Sequence, residues 1–343
     1  MKIKNKLDPL ADLGLPKICN LLNYNHHSAT QANYSDGRFV FGYWICDQKE
    51  RRMFEGNANM AAGVAVNNAI QYNKCEKIFK LNPNTKKLAP VDNAQREIGF
   101  ATDLVLEEYN KYNPVNEKDE EKFQRYLETI PQTISQLEKA VETLGVRKKV
   151  VGENVVNFSD DRLILPIVGR TDLEYSLEDF YVANSFLGSQ VSGSPFGLLE
   201  IKTSWDRLGK MKVNGTRAFI KPKVPLTPSR NHLMQVAFYK KAKPNYEARL
   251  VYVNKDEFKI FDKNNCQDLT DENLNNYYEE LVRTFLRRER MLLKYQDYTD
   301  KEKFITEIVQ DVDPQFEHPY EWSIGEPFVR KAKELWSSVG GNK

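Results

Sequence analysis

The chain has 343 residues, 41% of them hydrophobic and 29% charged, and 50 Lys and Arg against 48 Asp and Glu leave a formal net charge of +2. That is enough chain for one large domain or two modest ones around a substantial core. The near-neutral balance excludes a global basic field, so affinity for nucleic acid would have to come from a local patch.

No run of 18 apolar residues occurs, so no membrane span is expected. The opening "MKIKNKLDPLADLG" lacks the apolar core of a signal peptide, and a cytoplasmic protein is expected. Cys19, Cys46, Cys75 and Cys266 are far apart and form no C-x-x-C pair, which argues against zinc and fits reduced thiols. The first 150 residues read mainly as helix and loop, with helices predicted over 53–73, 94–113 and 117–145, the last bending at Pro131. His26 and His27 read as loop residues, and the acidic run Glu117–Glu121 as a solvated helix start at the positive end of the helix dipole.

After Gly145 the texture changes. "KKVVGENVVNFSDDRLILPIVGRTDLEYSL" is β-branched and broken by polar turns, so it reads as strands, and "FGLLEIKTSW", "YEARLVYVN" and "EFKIFD" read as three more. Between them "RNHLMQVAFYKKA" is a helix. A long final helix over 271–295 carries the stripe Leu274, Tyr278, Leu281, Phe285 and Leu292, with Thr270 or Asp271 as its cap. The expected architecture is α/β: a mixed central sheet flanked by helices. The linear division is a helical lobe over 1–150, a core over 151–262 and helices packed on that core over 263–343.

Alternation along "GLLEIKTSW" puts Glu200 and Lys202 on one side of their strand. A solvent-facing ion pair on a sheet edge is the plain explanation. Burial would demand a partner or a ligand. Asp172 stands late in the preceding strand, and two carboxylates with a backbone carbonyl make a hard oxygen site suited to Mg²⁺. Lys202 would then orient or help deprotonate an attacking water and balance phosphate charge. On the helix, His232, Gln235 and Tyr239 form a polar stripe opposite Leu233, Val236 and Ala237.

"GRTD", "EIKTS" and "QVAFY", in that order, resemble the core motifs of the PD-(D/E)xK nuclease superfamily. The nearest branch is the RecB-like exonucleases, which include the mitochondrial genome maintenance exonucleases. The resemblance is specific over roughly 160–262 and implies a restriction-endonuclease-like core. It also implies metal ligation by Asp172, Glu200 and the Ile201 carbonyl, with Mg²⁺ or Mn²⁺ as cofactor. Lys202 would be the catalytic lysine, Gln235 would steady the site, Tyr239 would contact DNA or the lysine, and Thr203 would support the strand end. Glu153 is either an acid behind these residues or a plain strand residue. Two departures stand out. Where the branch carries G-x-x-x-H, the best match is Gly63 to Asn67, with Glu55 as an alternative ligand. An inserted loop also stretches over 176–196. Some relatives hold an iron–sulfur cluster, but the thiol spacing here is unsuitable and none is expected.

The segment 206–230 carries Arg207, Lys210, Lys212, Arg217, Lys221, Lys223 and Arg230 against the single acid Asp206, with a hairpin turn at Asn214-Gly215. It leaves from the Glu200 strand and returns to the Gln235 helix, so a phosphate-tracking role is natural. Trp205 could stack on a base or sit in the core. These features together point to a metal-dependent DNA exonuclease of recombination, replication or repair, from a bacterial or phage-infected cell. Its substrate would be DNA with free or single-stranded ends, with no membrane partner. A structure- or site-selective endonuclease of the same fold and a non-catalytic DNA-end-binding protein are the alternatives.

Overall fold

The computed structural model describes residues 16–47, 57–74, 78–81, 88–91, 100–144, 148–176, 196–212, 217–317, 322 and 326–339. Glu55, Cys75, the Asn214-Gly215 turn and nearly all of the 176–196 insertion lie outside them. The chain divides into two compact units. One comprises 1–56, 157–169 and 278–343, the other 57–156 and 170–277. This differs from the linear division expected above: the first 150 residues contribute to both units, and so do the strand Ile167–Ser176 and the helix Asp271–Lys294.

The first unit is aromatic and helical. Phe39, Phe41, Trp44, Phe304, Trp322 and Phe328 form the middle of its core, with the helices Lys301–Asp311 and Glu326–Val339. Asp300 starts the former helix by accepting from the Glu302 and Lys303 N–H groups. His27 and Ser28 form a two-residue strand paired in parallel with Ile167 and Val168. His27 is therefore a core residue rather than a loop residue, fully buried and stacked on Phe285 with ring centroids 4.2 Å apart.

The second unit holds a mixed sheet flanked by helices. The strand Phe196–Thr203 lies in its middle. It pairs antiparallel with the 167–176 strand from Leu173↔Leu199 to Ser176↔Phe196, and in parallel with Tyr246–Val253 along its full length. Phe258–Phe261 then pairs antiparallel with 246–253. The parallel crossover runs through the hairpin strands Arg207–Met211 and Arg217–Ile220 and the helix Arg230–Ala242. That helix is capped by Ser229, which accepts from His232 N, and it buries Leu233, Val236, Ala237 and Phe238. Fully burying Leu233, Val236 or Phe238 contributes about 1.5–3 kcal/mol each.

On the other side, the helices Ala58–Lys74 and Glu117–Thr143 share an apolar cluster with Leu173, Leu199 and Ile201. The long helix keeps Pro131 in its interior. Asp119 corrects the solvated reading of its acidic start, because its buried carboxylate accepts from Ala58 N, Val115 N and the Tyr112 hydroxyl. Three donors answer the two carboxylate oxygens there. Among the described residues no helix is long and apolar enough to cross a membrane.

Candidate metal and phosphate site

Leu199 and Ile201 enter the apolar cluster, so alternation turns Glu200 and Lys202 to the opposite side of the sheet. The 196–203 strand is interior, with a neighbour on each side, and Glu200 is 1% exposed. The edge ion pair that plain reasoning allowed is therefore not what this strand carries. Lys202 Nζ donates to Glu200 Oε1 at 2.6 Å and to Gln235 Oε1 at 3.1 Å. Gln235 Nε2 donates to the Tyr239 hydroxyl, which itself donates to the Arg170 carbonyl. The helix stripe thus forms a relay of hydrogen bonds running from the lysine back to the aspartate strand.

Asp172 lies one residue beyond the last ladder pair, Leu173↔Leu199. Its Oδ2 accepts from Ile201 N at 2.7 Å, taking the place of a backbone partner, and its Oδ1 accepts from Asn67 Nδ2 at 3.0 Å. Asn67 on its helix therefore meets Asp172 directly. Gly63, one turn earlier, explains how: a Cβ there would stand 3.1 Å from Thr203 Oγ1, so a bare residue lets the helix approach the end of the strand.

Two oxygens in this group are buried without a hydrogen-bond partner among the described residues: Glu200 Oε2 and Asn67 Oδ1. Such atoms cost about 1–3 kcal/mol each. The electrostatics carry the same mark. Burial, then the Glu200 charge, pushes the Asp172 carboxyl well above the ordinary range. Burial also raises Glu200, against the pull of Lys202. For Lys202 burial acts downward, but Glu200 and Asp172 outweigh it and leave the ammonium raised. Asp172, Glu200 and the Ile201 carbonyl are hard oxygen donors that could hold a divalent cation, and Asn67 Oδ1 could add a neutral one. Among the described residues no set of three or more His, Cys, Asp or Glu gathers for a metal.

Beside Lys202 a cleft of about 240 Å³ opens, lined by Gly63, Asn67 and Ile201–Ser204 and, across from them, by His232 and Tyr252. Tyr252 stands beside Lys202 in the parallel register, so its place was set by strand pairing rather than by any motif. Its hydroxyl meets His232 Nδ1 at 2.7 Å.

Trp205 is a core side chain, buried against Tyr126 with ring centroids 5.0 Å apart, and its Nε1 donates to Thr203 Oγ1. Neither it nor the buried Tyr239 is exposed for stacking on a base, and Tyr239 reaches Gln235 rather than Lys202. Glu153 is exposed and pairs with Arg170 at 3.5 Å, on a backbone with φ of 47°. Asp206, the acid among the basic residues, is buried and holds Arg125 and Lys255. Arg207 and Lys210 lie exposed on the hairpin, with Lys212 beyond them. Arg217 is paired with Glu121 and Lys221 with Asp256. Lys223 is exposed in the following loop, and Arg230 opens the Gln235 helix.

No family model matches the chain, and no curated protein matches it. A solved structure, that of the protein SSO0001, is similar at 15% sequence identity over 52% of this chain and 81% of that one. Its TM-score of 0.23 carries no argument about fold or function.

Proposed function

We propose that this chain is a divalent-metal-dependent DNA exonuclease of the PD-(D/E)xK superfamily. Its second unit would be a restriction-endonuclease-like core, working on free, single-stranded ends in recombination, replication or repair. The observation that carries the reading is Glu200. It is a carboxylate buried on an interior strand, with one oxygen on Lys202 and the other without a partner among the described residues. With Asp172 beside it, the donor set fits Mg²⁺ or Mn²⁺, held by Asp172, Glu200 and the Ile201 carbonyl. A cation bound there supplies Lewis-acid stabilisation of the charge that builds on the phosphoryl oxygens.

The chain's own residues do the rest. Lys202 presents an ammonium to the reacting phosphate and orients the attacking water. Gln235 fixes the lysine's direction, and Tyr239 fixes Gln235 through the Arg170 carbonyl. Asn67 holds Asp172 in place and offers a neutral amide oxygen, a weaker ligand than the imidazole of the histidine-bearing pattern. The exposed Arg207, Lys210, Lys212 and Lys223 are the stronger phosphate-tracking candidates, because Arg217 and Lys221 already face carboxylates. The end requirement rests on the family resemblance. Linear and covalently closed circular forms of one single-stranded DNA, incubated with Mg²⁺, test it. The linear form should be degraded and the circle should survive. Equal loss of both would make the enzyme an endonuclease, and no loss of either would support the end-binding reading.

A further inference from the structure

We propose that the cleft beside Lys202 is a phosphate subsite in which His232 acts as a neutral N–H donor to a phosphodiester oxygen, its tautomer set by Tyr252; this rests on the nuclease reading above. The sign of the lining comes first. Lys202, Ser204, His232, Tyr252 and Asn67 bring one cation and several neutral polar groups, and no Asp or Glu lines the cleft among the described residues. A cleft of that kind suits an anion, and the carboxylates that suit a cation stand behind its lining, Asp172 on Asn67 and Ile201 and Glu200 on Lys202.

The hydrogen bonds around Tyr252 bear on where the imidazole proton sits. Ser229 N–H donates to the Tyr252 oxygen at 3.0 Å, so that oxygen already serves as an acceptor. With the phenol proton assigned to His232 Nδ1, 2.7 Å away, the ring is the acceptor of that bond. A neutral ring that accepts at Nδ1 carries its hydrogen on Nε2. His232 lines the cleft, and no partner of Nε2 is found among the described residues. Burial, and then the charge of Lys202, hold its pKa down to about 4, which keeps the ring neutral at physiological pH. A neutral donor next to a fixed ammonium gives a directional bond to phosphate without setting two cations against each other.

The test is fluorescence anisotropy of a labelled single-stranded oligonucleotide, with Ca²⁺ in place of Mg²⁺, over a range of salt concentrations. His232→Ala should bind roughly three- to tenfold more weakly, the worth of one neutral hydrogen bond. The slope of log affinity against log salt should not change, because no charge has been removed. His232→Gln, which keeps an N–H donor, should recover part of the loss, and Tyr252→Phe should fall between. Replacing a phosphate-contacting lysine would instead flatten the slope by about 0.7. Unchanged affinity in both His232 variants would overturn the subsite. So would a slope flattened by about one charge, which would mean a cationic imidazole. If the wild-type protein neither binds nor cleaves DNA, the nuclease reading itself has failed; if it does both and His232→Ala is silent, only the subsite has.

Discussion

Each unit of this protein buries a histidine or a lysine beside a glutamate, and the two pairs are finished differently. In the first unit His27 Nε2 meets Glu289 Oε1 at 2.9 Å while its Nδ1 meets the Tyr24 hydroxyl. Glu289 also accepts from the backbone N–H groups of Ile164 and Leu165, and the adjacent Arg288 spends its donors on the carbonyls of Gln31 and Tyr34 and on Asp36. Both oxygens of Glu289 are used. In the second unit Glu200 has one oxygen on Lys202 and the other without a partner among the described residues. A buried charge whose every atom is answered by the chain is a structural joint. One left open, beside a second carboxylate, is the basis of the cation site proposed above.

Breaking each cluster should separate the two roles. Glu289→Ala leaves an imidazole and two backbone donors unanswered in the core, and should cost about 3–5 kcal/mol in denaturant unfolding. A loss under about 1 kcal/mol would dissolve the contrast. Lys202→Ala should leave the fold standing and slow cleavage at least a hundredfold, about 2.7 kcal/mol in activation free energy. Single-turnover rates at saturating Mg²⁺ measure this. The closed cluster also predicts a pH effect. Burial, chiefly, keeps the folded His27 below its ordinary value of 6.5, against the pull of Glu289. Below pH 6.5 the unfolded chain therefore binds a proton that the folded chain refuses. The stability contribution is complete above 6.5 and falls as pH drops towards the folded value, by up to about 1.4 kcal/mol per pH unit. His27→Gln should remove that part of the slope, and an unchanged slope would mean that His27 does not set it. Smaller still, Asp172→Asn leaves one carboxylate facing one ammonium. Stability in EDTA should then be unchanged or higher by up to about 1 kcal/mol, and a loss above about 2 kcal/mol would make Asp172 a structural residue.

The second unit was far more legible in the sequence than the first, for a physical reason. A strand shows its faces by alternation and a helix its stripes by turns of 3.6, so Glu200 and Lys202, and His232 with Gln235 and Tyr239, could be assigned to shared faces. The helix 230–242 and the strands 246–253 and 258–261 lie where the pattern places them. What pattern cannot give is partner identity between distant segments. His27 looks like a loop residue because the groups that bury it, Phe285 and Glu289, stand some 260 residues away. Tyr252 reaches the cleft only through its register with Lys202. Polarity assigns Asp119 to the surface and leaves Trp205 between a base and the core; packing buries both.

The smallest predicted effects lie in the hairpin. Removing Lys210, Lys212 and Lys223 together should flatten the salt slope of single-strand binding by up to about 2, near 0.7 per charge. Removing Arg217 and Lys221, which face Glu121 and Asp256, should change it less. The reverse ranking would mean that those ion pairs open onto the DNA.

The open cluster is tested most directly by calorimetric titration with Mn²⁺. The wild-type protein and Lys202→Ala should each give a saturable binding signal, and Asp172→Asn and Glu200→Gln should each lose it. Binding that survives in the Asp172→Asn/Glu200→Gln double variant, or full cleavage of DNA by the wild-type protein in excess EDTA, would contradict the account.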